Sequence, residues 1–428
     1  MTSLVAAVVA LGGAVVSAQL NWQLQLREQI RGGDSYIASQ TPPNTQTISE
    51  IVAPGAQLHA TFRNEQDLLI HYQPQLMDTY RSNGATTGSG GAWGGWTVLH
   101  RGVLTYGAGN PHRLRSTVAL NLALGKLDTV NADVLVAQSG ILPGTTGSII
   151  NYTNINLALG VERIIDRKWH LTTQEIIGLI EFPGASTTAN FENNPGMTPA
   201  PGGGSSNQLK AASKNEVSYE FTERESANFT LELSDVSYED TATYLGITPS
   251  LGYANAWTSL SAWTVRVGAM RYWTNPFPGI VERSKWLAVL QLTLDHTFTD
   301  WGLPRLKGHL ALSVLPFYNL QFSNLEPRTT ILGQLSYQFS QKWSGTGSLR
   351  AFTSEYWDFH HLQRLERGHP RNIGIVSLSM RYSPVRYLAV DMGGYISERT
   401  FVPGVQQPYS LMQEFYALLG LTGTWDSN

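Results

Sequence analysis

From Ala56 to Leu76 the chain reads AQLHATFRNEQDLLIHYQPQL, and side-chain polarity alternates along both halves. Ala56, Leu58, Ala60 and Phe62 are apolar, whereas Gln57, His59, Thr61 and Arg63 are polar. After Asn64 and Glu65, Leu68, Ile70, Tyr72, Pro74 and Leu76 share one side. Asp67, His71, Gln73 and Gln75 take the other, with Leu69 as the exception. A period of two places successive side chains on opposite faces of a strand. The stretch is therefore a hairpin with one wet face and one apolar face, turning at Asn64–Glu65.

The pattern repeats to the C-terminus. Leu114, Val118, Leu120, Leu122 and Leu124 oppose Arg115, Thr117 and Asn121. Phe229, Leu231 and Leu233 oppose Asn228, Thr230 and Glu232, and Val376, Leu378 and Met380 oppose Ser377, Ser379 and Arg381. About 18 such strands of roughly 10–15 residues follow one another. Short turns are expected at Asn64, Asn110, Asp166, Arg224, Trp257, Gly302, Gln341 and Pro384, with long connections between them. The Gly- and Pro-rich stretch from Phe182 to Asn207 reads as the longest loop on one rim.

Such a repeat could build a sandwich, a propeller or a barrel. Charged residues are only 14% of the 428 residues, against about 25% in a usual soluble domain. The apolar face is uniformly aliphatic and aromatic, and short turns alternate with long loops. Those features select an all-β fold, a transmembrane antiparallel up-and-down β-barrel of about 18 strands. A closed barrel leaves no strand edge unpaired in lipid. Trp22, Tyr106, Trp169, Trp286, Trp343 and Trp425 fall near strand ends, where interfacial girdles form. The expected location is the bacterial outer membrane.

Residues 1–18 end in an apolar run, LVAAVVALGGAVVSA, with a small-residue site. It reads as a signal peptide, although no Lys or Arg precedes Arg27. The barrel is expected over residues 19–428. The terminal strand FYALLGLTGTW alternates and ends in an aromatic, like the last-strand signal of outer-membrane proteins engaged by the barrel-assembly machinery. The net charge of −3 gives no basic footprint for nucleic acid. The absence of cysteine excludes disulfides and thiolate metal sites.

Catalytic signatures are lacking: there is no P-loop, zincin or nucleophile-elbow motif, so the chain does not read as an enzyme. No cofactor or metal site is expected. His360, His361 and His369 share a polar loop without matched carboxylates. His59 and His71 fall on the lumen face of neighbouring strands and could meet. His100 takes lipid-facing parity beside Gly102, which implies a rim position or a shifted register.

The expected functional surface is the inner wall. Arg27, Arg63, Arg113 and Arg115 line the early strands, Glu162, Glu216, Glu220 and Glu232 the middle ones, and Arg305, Lys307, Arg350 and Arg381 the late ones. Opposite charges on facing walls would set a transverse field across a watery lumen and tune permeation. The remaining inward positions, mostly Gln, Asn, Thr, Ser and Gly, imply that water fills the barrel.

The segments LLIHYQPQLM, WTVLHRGVLTYG and NPHRLRSTVALNLALGKLD, about a sixth of the chain, resemble large barrels from polysaccharide-export gene clusters of myxobacteria and relatives. That resemblance implies a translocation conduit for exported polysaccharide, working with a periplasmic export protein. The alternatives are a passive porin for small solutes and a plugged structural barrel.

Overall fold

The computed structural model describes residues 19–37, 45–62, 65–83, 92–93, 95–110, 112–128, 149–182, 207–238, 243–274, 283–301, 303, 305–319, 324–354, 370–401 and 411–426. The signal-peptide stretch, Arg63, Asn64, most of the Phe182–Asn207 loop and the three loop histidines lie outside them.

The strands are β1 (Gln19–Ile37), β2 (Thr45–Phe62), β3 (Gln66–Tyr72), β4 (Gln75–Asn83), β5 (Ala92–Trp93), β6 (Thr97–Asn110) and β7 (Leu114–Asp128). They continue as β8 (Ile149–Ile164), β9 (Trp169–Glu181), β10 (Gln208–Thr222), β11 (Glu225–Tyr238), β12 (Thr243–Asn255), β13 (Ser261–Thr274) and β14 (Arg283–Thr297). The last are β15 (Leu306–Asn319), β16 (Asn324–Gln338), β17 (Trp343–Ser354), β18 (Pro370–Val385), β19 (Leu388–Phe401) and β20 (Leu411–Asp426). Each pairs antiparallel with its neighbours, and β1 bonds both β2 and β20, which closes the sheet.

Two labels do not count as separate spans. β5 is a two-residue stub on β4. β3 and β4 are one span, because both pair with β2 on one side and β6 on the other. The break between them holds Pro74, and the register places Pro54 of β2 at the same level. Proline has no N–H to give a ladder, so pairing lapses where the two prolines meet. The Gln73 amide still reaches the Arg101 carbonyl at 2.8 Å. The barrel therefore has eighteen spans, the expected architecture.

The expected parity holds. Leu24, Leu26, Leu251, Val267, Leu335, Leu378 and Leu419 all point outward and are exposed. A continuous belt of this kind is compatible with lipid and not with water. With the ladder closed, this is a transmembrane β-barrel of the outer membrane. Trp22, Trp169 and Trp425 stand exposed near the rim of short turns, and Trp286 near the opposite rim. Trp343 stacks on Tyr382 with centroids 4.5 Å apart.

Among the described residues the short turns fall where expected, with one displacement, and the turn positions Asn64 and Gly302 lie outside those residues. Pro384 belongs to the tail of β18, where the register shifts between Tyr382 and Val385, and Arg386–Tyr387 make the turn. At the β8–β9 turn, Asp166 Oδ1 accepts the Lys168 amide at 2.7 Å and the Trp169 amide at 2.9 Å. Those amides, chiefly Lys168, hold the carboxyl below the usual carboxylate range. A lowered folded-state value stabilises at neutral pH and is lost as pH falls through it. Hydrogen-exchange protection of the two amides should thus persist through the ordinary aspartate range and fall only in stronger acid. Asp166→Ala should remove it at every pH.

Gly125 is required by the backbone. It sits at φ +137° in β7, where a Cβ would collide with the Val98 carbonyl. Gly107 leaves room of another kind: a Cβ there would lie 2.5 Å from Asp67 Oδ1 and 2.7 Å from Arg115 Nη2. The inner wall needs that space for an ion pair.

Candidate functional site: the inner wall of the barrel

Inward positions differ between the two halves of the barrel. Toward the short-turn rim they are polar and charged, and the charges find local partners. Arg115 bonds Asp67 across β7, β6 and β3. His170 lies 3.4 Å from Glu220, and His309 Nδ1 lies 2.8 Å from Asp295. Arg381 approaches Asp391 at 3.7 Å, and Thr422 also donates to that carboxylate at 3.3 Å.

Glu216 is the most connected of these groups. Its carboxylate takes Arg266 at 3.3 Å and Lys214 at 3.7 Å, together with Asn228 at 3.3 Å and Thr230 at 3.1 Å. Those partners come from β10, β11 and β13. Their convergence follows from register: Glu216 sits opposite Thr230 and Arg266 opposite Gly252 of β12, so only Gly252 and the small Ser250 lie between the guanidinium and β11.

Toward the long-loop rim the inner wall is packed, with an apolar cluster on one part of it and buried polar residues such as Thr47, Ser49, Thr79 and Ser397 on the rest. Tyr152, Phe182, Val236, Tyr238, Tyr244, Met270, Tyr272, Leu287 and Val289 belong to one buried cluster. Val236 is 0% exposed, and Met270, Tyr272 and Leu287 are each 1% exposed, although all four have inward parity. A side chain bordering open water could not be so covered. The expectation of a wall wet along its whole height is therefore corrected: the outer part of this wall forms a packed collar. On the opposite arc, the Arg31 guanidinium lies 4.7 Å from the Tyr395 ring centre and 4.5 Å from that of Tyr416. Arg328 lies 3.1 Å from the Phe317 ring centre and 4.8 Å from that of Phe352. Both arginines are buried, with their charge against aromatic faces.

Of the expected pore-lining residues, Arg27, Arg115, Glu162, Glu216, Glu220, Glu232, Lys307, Arg350 and Arg381 have inward positions on strands. Arg113 and Arg305 do not lie on strands. They precede β7 and β15 by one residue, in turns at the rim, where their carbonyls accept the Ile164 and Gln338 amides. Because β1 joins β20, the early and late arginines fall on one arc, which meets the acidic strands at β7–β8, where Arg115 stands opposite Glu162. The field between them is reduced by pairing: Lys214 and Arg266 sit on the acidic side, Asp67 and Asp391 on the basic side. Arg31, Arg101, Lys214, Arg266 and Arg328 were not singled out by parity, although strict counting from Arg27 would have reached Arg31.

The histidines are also placed. His71 stands opposite Gln57 and His59 opposite Leu69, so the two are diagonal neighbours on the inner face, and among the described residues no hydrogen bond joins them. His100 keeps its register opposite Leu124 and is exposed on the outer face, where its Nδ1 lies 2.7 Å from the Tyr72 hydroxyl. No register shift displaces it. Ser261 and His296 form an outward pair on β13 and β14 at 2.7 Å, and among the described residues no carboxylate bonds that imidazole. Among the described residues no group of three or more metal-ligating side chains comes together.

No protein-family model matches the chain, and no curated protein matches it. Among solved structures it is similar to Pseudomonas aeruginosa OccK7 (OpdD), with a TM-score of 0.48 and 12% identity over 95% of this chain and 100% of that one. Pseudomonas aeruginosa OpdQ gives 0.47 and 9% over 96% and 100%. Pseudomonas aeruginosa OprD gives 0.43 and 11% over 97% and 100%.

Proposed function

We propose that this protein is a passive outer-membrane channel for small solutes, graded by size and charge. The observation that carries this reading is the division of the inner wall. A charged, hydrogen-bonded half suits hydrated solutes, and a packed collar reduces the section available to them. The polymer-export reading, with its periplasmic partner, calls for a lumen unobstructed through its height, and the collar weighs against it. β20 remains the segment we assign to the barrel-assembly machinery, because it ends in Trp425 with alternating apolar residues before it.

Liposome swelling tests the size limit. Proteoliposomes should swell in small sugars and amino acids and not in long oligosaccharides. Swelling that is indifferent to chain length would favour the export conduit, and no swelling in any solute a plugged barrel. Glu216→Gln leaves Arg266 and Lys214 without their carboxylate, so reversal potentials should move toward anion selectivity. An unchanged potential would place the ion path away from β10 and β13.

A further inference from the structure

Four histidines face the lumen near its short-turn mouth. His59 stands three residues from the short-turn end of β2, and His71 five from that of β3. His170 stands one residue into β9, and His309 three into β15. At the rise and tilt of barrel strands, this places all four within about 13 Å of that rim. Their inward parity follows from the ladder: His59 stands opposite Asn21, His71 opposite Val103, His170 opposite Ser218 and His309 opposite Gln334. They occupy three stations on the wall, β2–β3, β9 and β15, roughly 90–150° apart around eighteen spans.

Each station has its own charges. His309 Nδ1 lies 2.8 Å from Asp295 Oδ1 on β14, β16 brings the neutral Gln334, and Lys307 stands two residues back along the same face. His170 Nε2 lies 3.4 Å from Glu220 Oε1. Glu216 and Glu220 flank Ser218 on β10, and Glu162 of β8 is diagonal to His170. Asp67 of β3 is diagonal to His59, β1 brings the neutral Asn21, and Arg101 of β6 is diagonal to His71. Asp67 is bonded by Arg115, and Glu216 by Arg266 and Lys214. Among the described residues no Lys or Arg pairs with Glu162, Glu220 or Asp295. Only histidine meets two of those three carboxylates, and histidine is the side chain whose charge changes between about pH 5 and 8.

We propose that these four histidines set the ion preference of the channel and make it depend on pH. Unprotonated, they leave Glu162, Glu220 and Asp295 facing the lumen, which favours cations; Lys307 offsets one of the three and does not reverse the sign. Protonated, His170 and His309 cancel the charge of Glu220 and Asp295. His59 and His71 then add positive charge where Asp67 is already bonded by Arg115, and the balance moves toward anions. A unit charge about 8 Å from a passing ion in water changes that ion's local population about twofold, and salt weakens the effect. Four such charges, acting oppositely on cation and anion, give a shift of several fold. The inference rests on the channel reading and adds what sets its ion preference.

The full-length protein should be recorded in planar bilayers under a dilute potassium chloride gradient. The potassium-over-chloride permeability ratio should fall about fivefold between about pH 8 and pH 5.5, a range in which ordinary carboxylates stay ionised. His170→Gln with His309→Gln, and His59→Gln with His71→Gln, should each remove part of that fall, and the fourfold variant all of it. His100→Gln and His296→Gln, on the outer face, should leave it whole. Heat-modifiable mobility shows that a variant is an intact barrel, and the two double variants decide the matter if the fourfold one does not assemble. A wild-type ratio indifferent to pH, a fall undiminished in both double variants, or a fall that survives in the fourfold variant would overturn the proposal. Discrete currents with a pH-independent ratio leave the channel reading standing, whereas absence of current at every pH overturns both.

Discussion

Leu120→Arg destabilises the barrel by about 2–4 kcal/mol, whereas Asn121→Arg beside it costs little. Leu120 lies in β7 between Leu104 of β6 and Leu157 of β8, so its row faces the hydrocarbon across three strands. A guanidinium there must thin the bilayer or draw in water. Asn121 lies between Val103 and Asn156 on the inner face and is exposed, so an added charge stays hydrated. Urea unfolding in micelles, followed by the loss of unheated gel mobility, measures both. Equal destabilisation at the two neighbours would mean that the faces are assigned wrongly.

Leu287→Ala should cost about 2–5 kcal/mol, the range for truncating a packed core leucine. Parity places Leu287 on the inner wall, and a residue lining an open aqueous pore would lose little on truncation. Its 1% exposure, within the cluster of Met270, Tyr272 and Val289, makes it a core residue instead. Lys307→Ala is the control. Lys307 is inward and exposed, and its loss should stay within about 0.5 kcal/mol. If Leu287→Ala behaved like Lys307→Ala, the collar would not be packed.

The strands and turns were legible because alternation is a local signal that survives without neighbours. Leu120 and Asn121 declare their faces from seven residues of context. The limits of that reading have physical causes. Arg113 and Arg305 continue the alternation of their strands on paper, but the chain has already entered a turn. Pro384 looks like a turn residue, and a bulge absorbs it while Arg386–Tyr387 reverse the chain. The collar was hidden because Val236 and Leu287 are apolar on the face that parity marks as wet. Near strand ends such a residue is indistinguishable from a lapse in the pattern. The ion pairs of Glu216 depend on the register of four strands, which no single strand encodes. His170 and His309 escaped for the same reason. Each is one polar residue on a wet face, and its carboxylate appears only when the neighbouring strand is laid beside it.

The central claim is a channel narrowed by its own inner wall. Single-channel recording of the purified protein in planar bilayers tests it most directly. The account predicts discrete openings of small conductance, well below those of an unobstructed eighteen-strand lumen, and larger ones when Tyr272 of the collar is replaced by alanine. Silence in both proteins, or a conductance as large as that of an unobstructed lumen in the wild type, would contradict it.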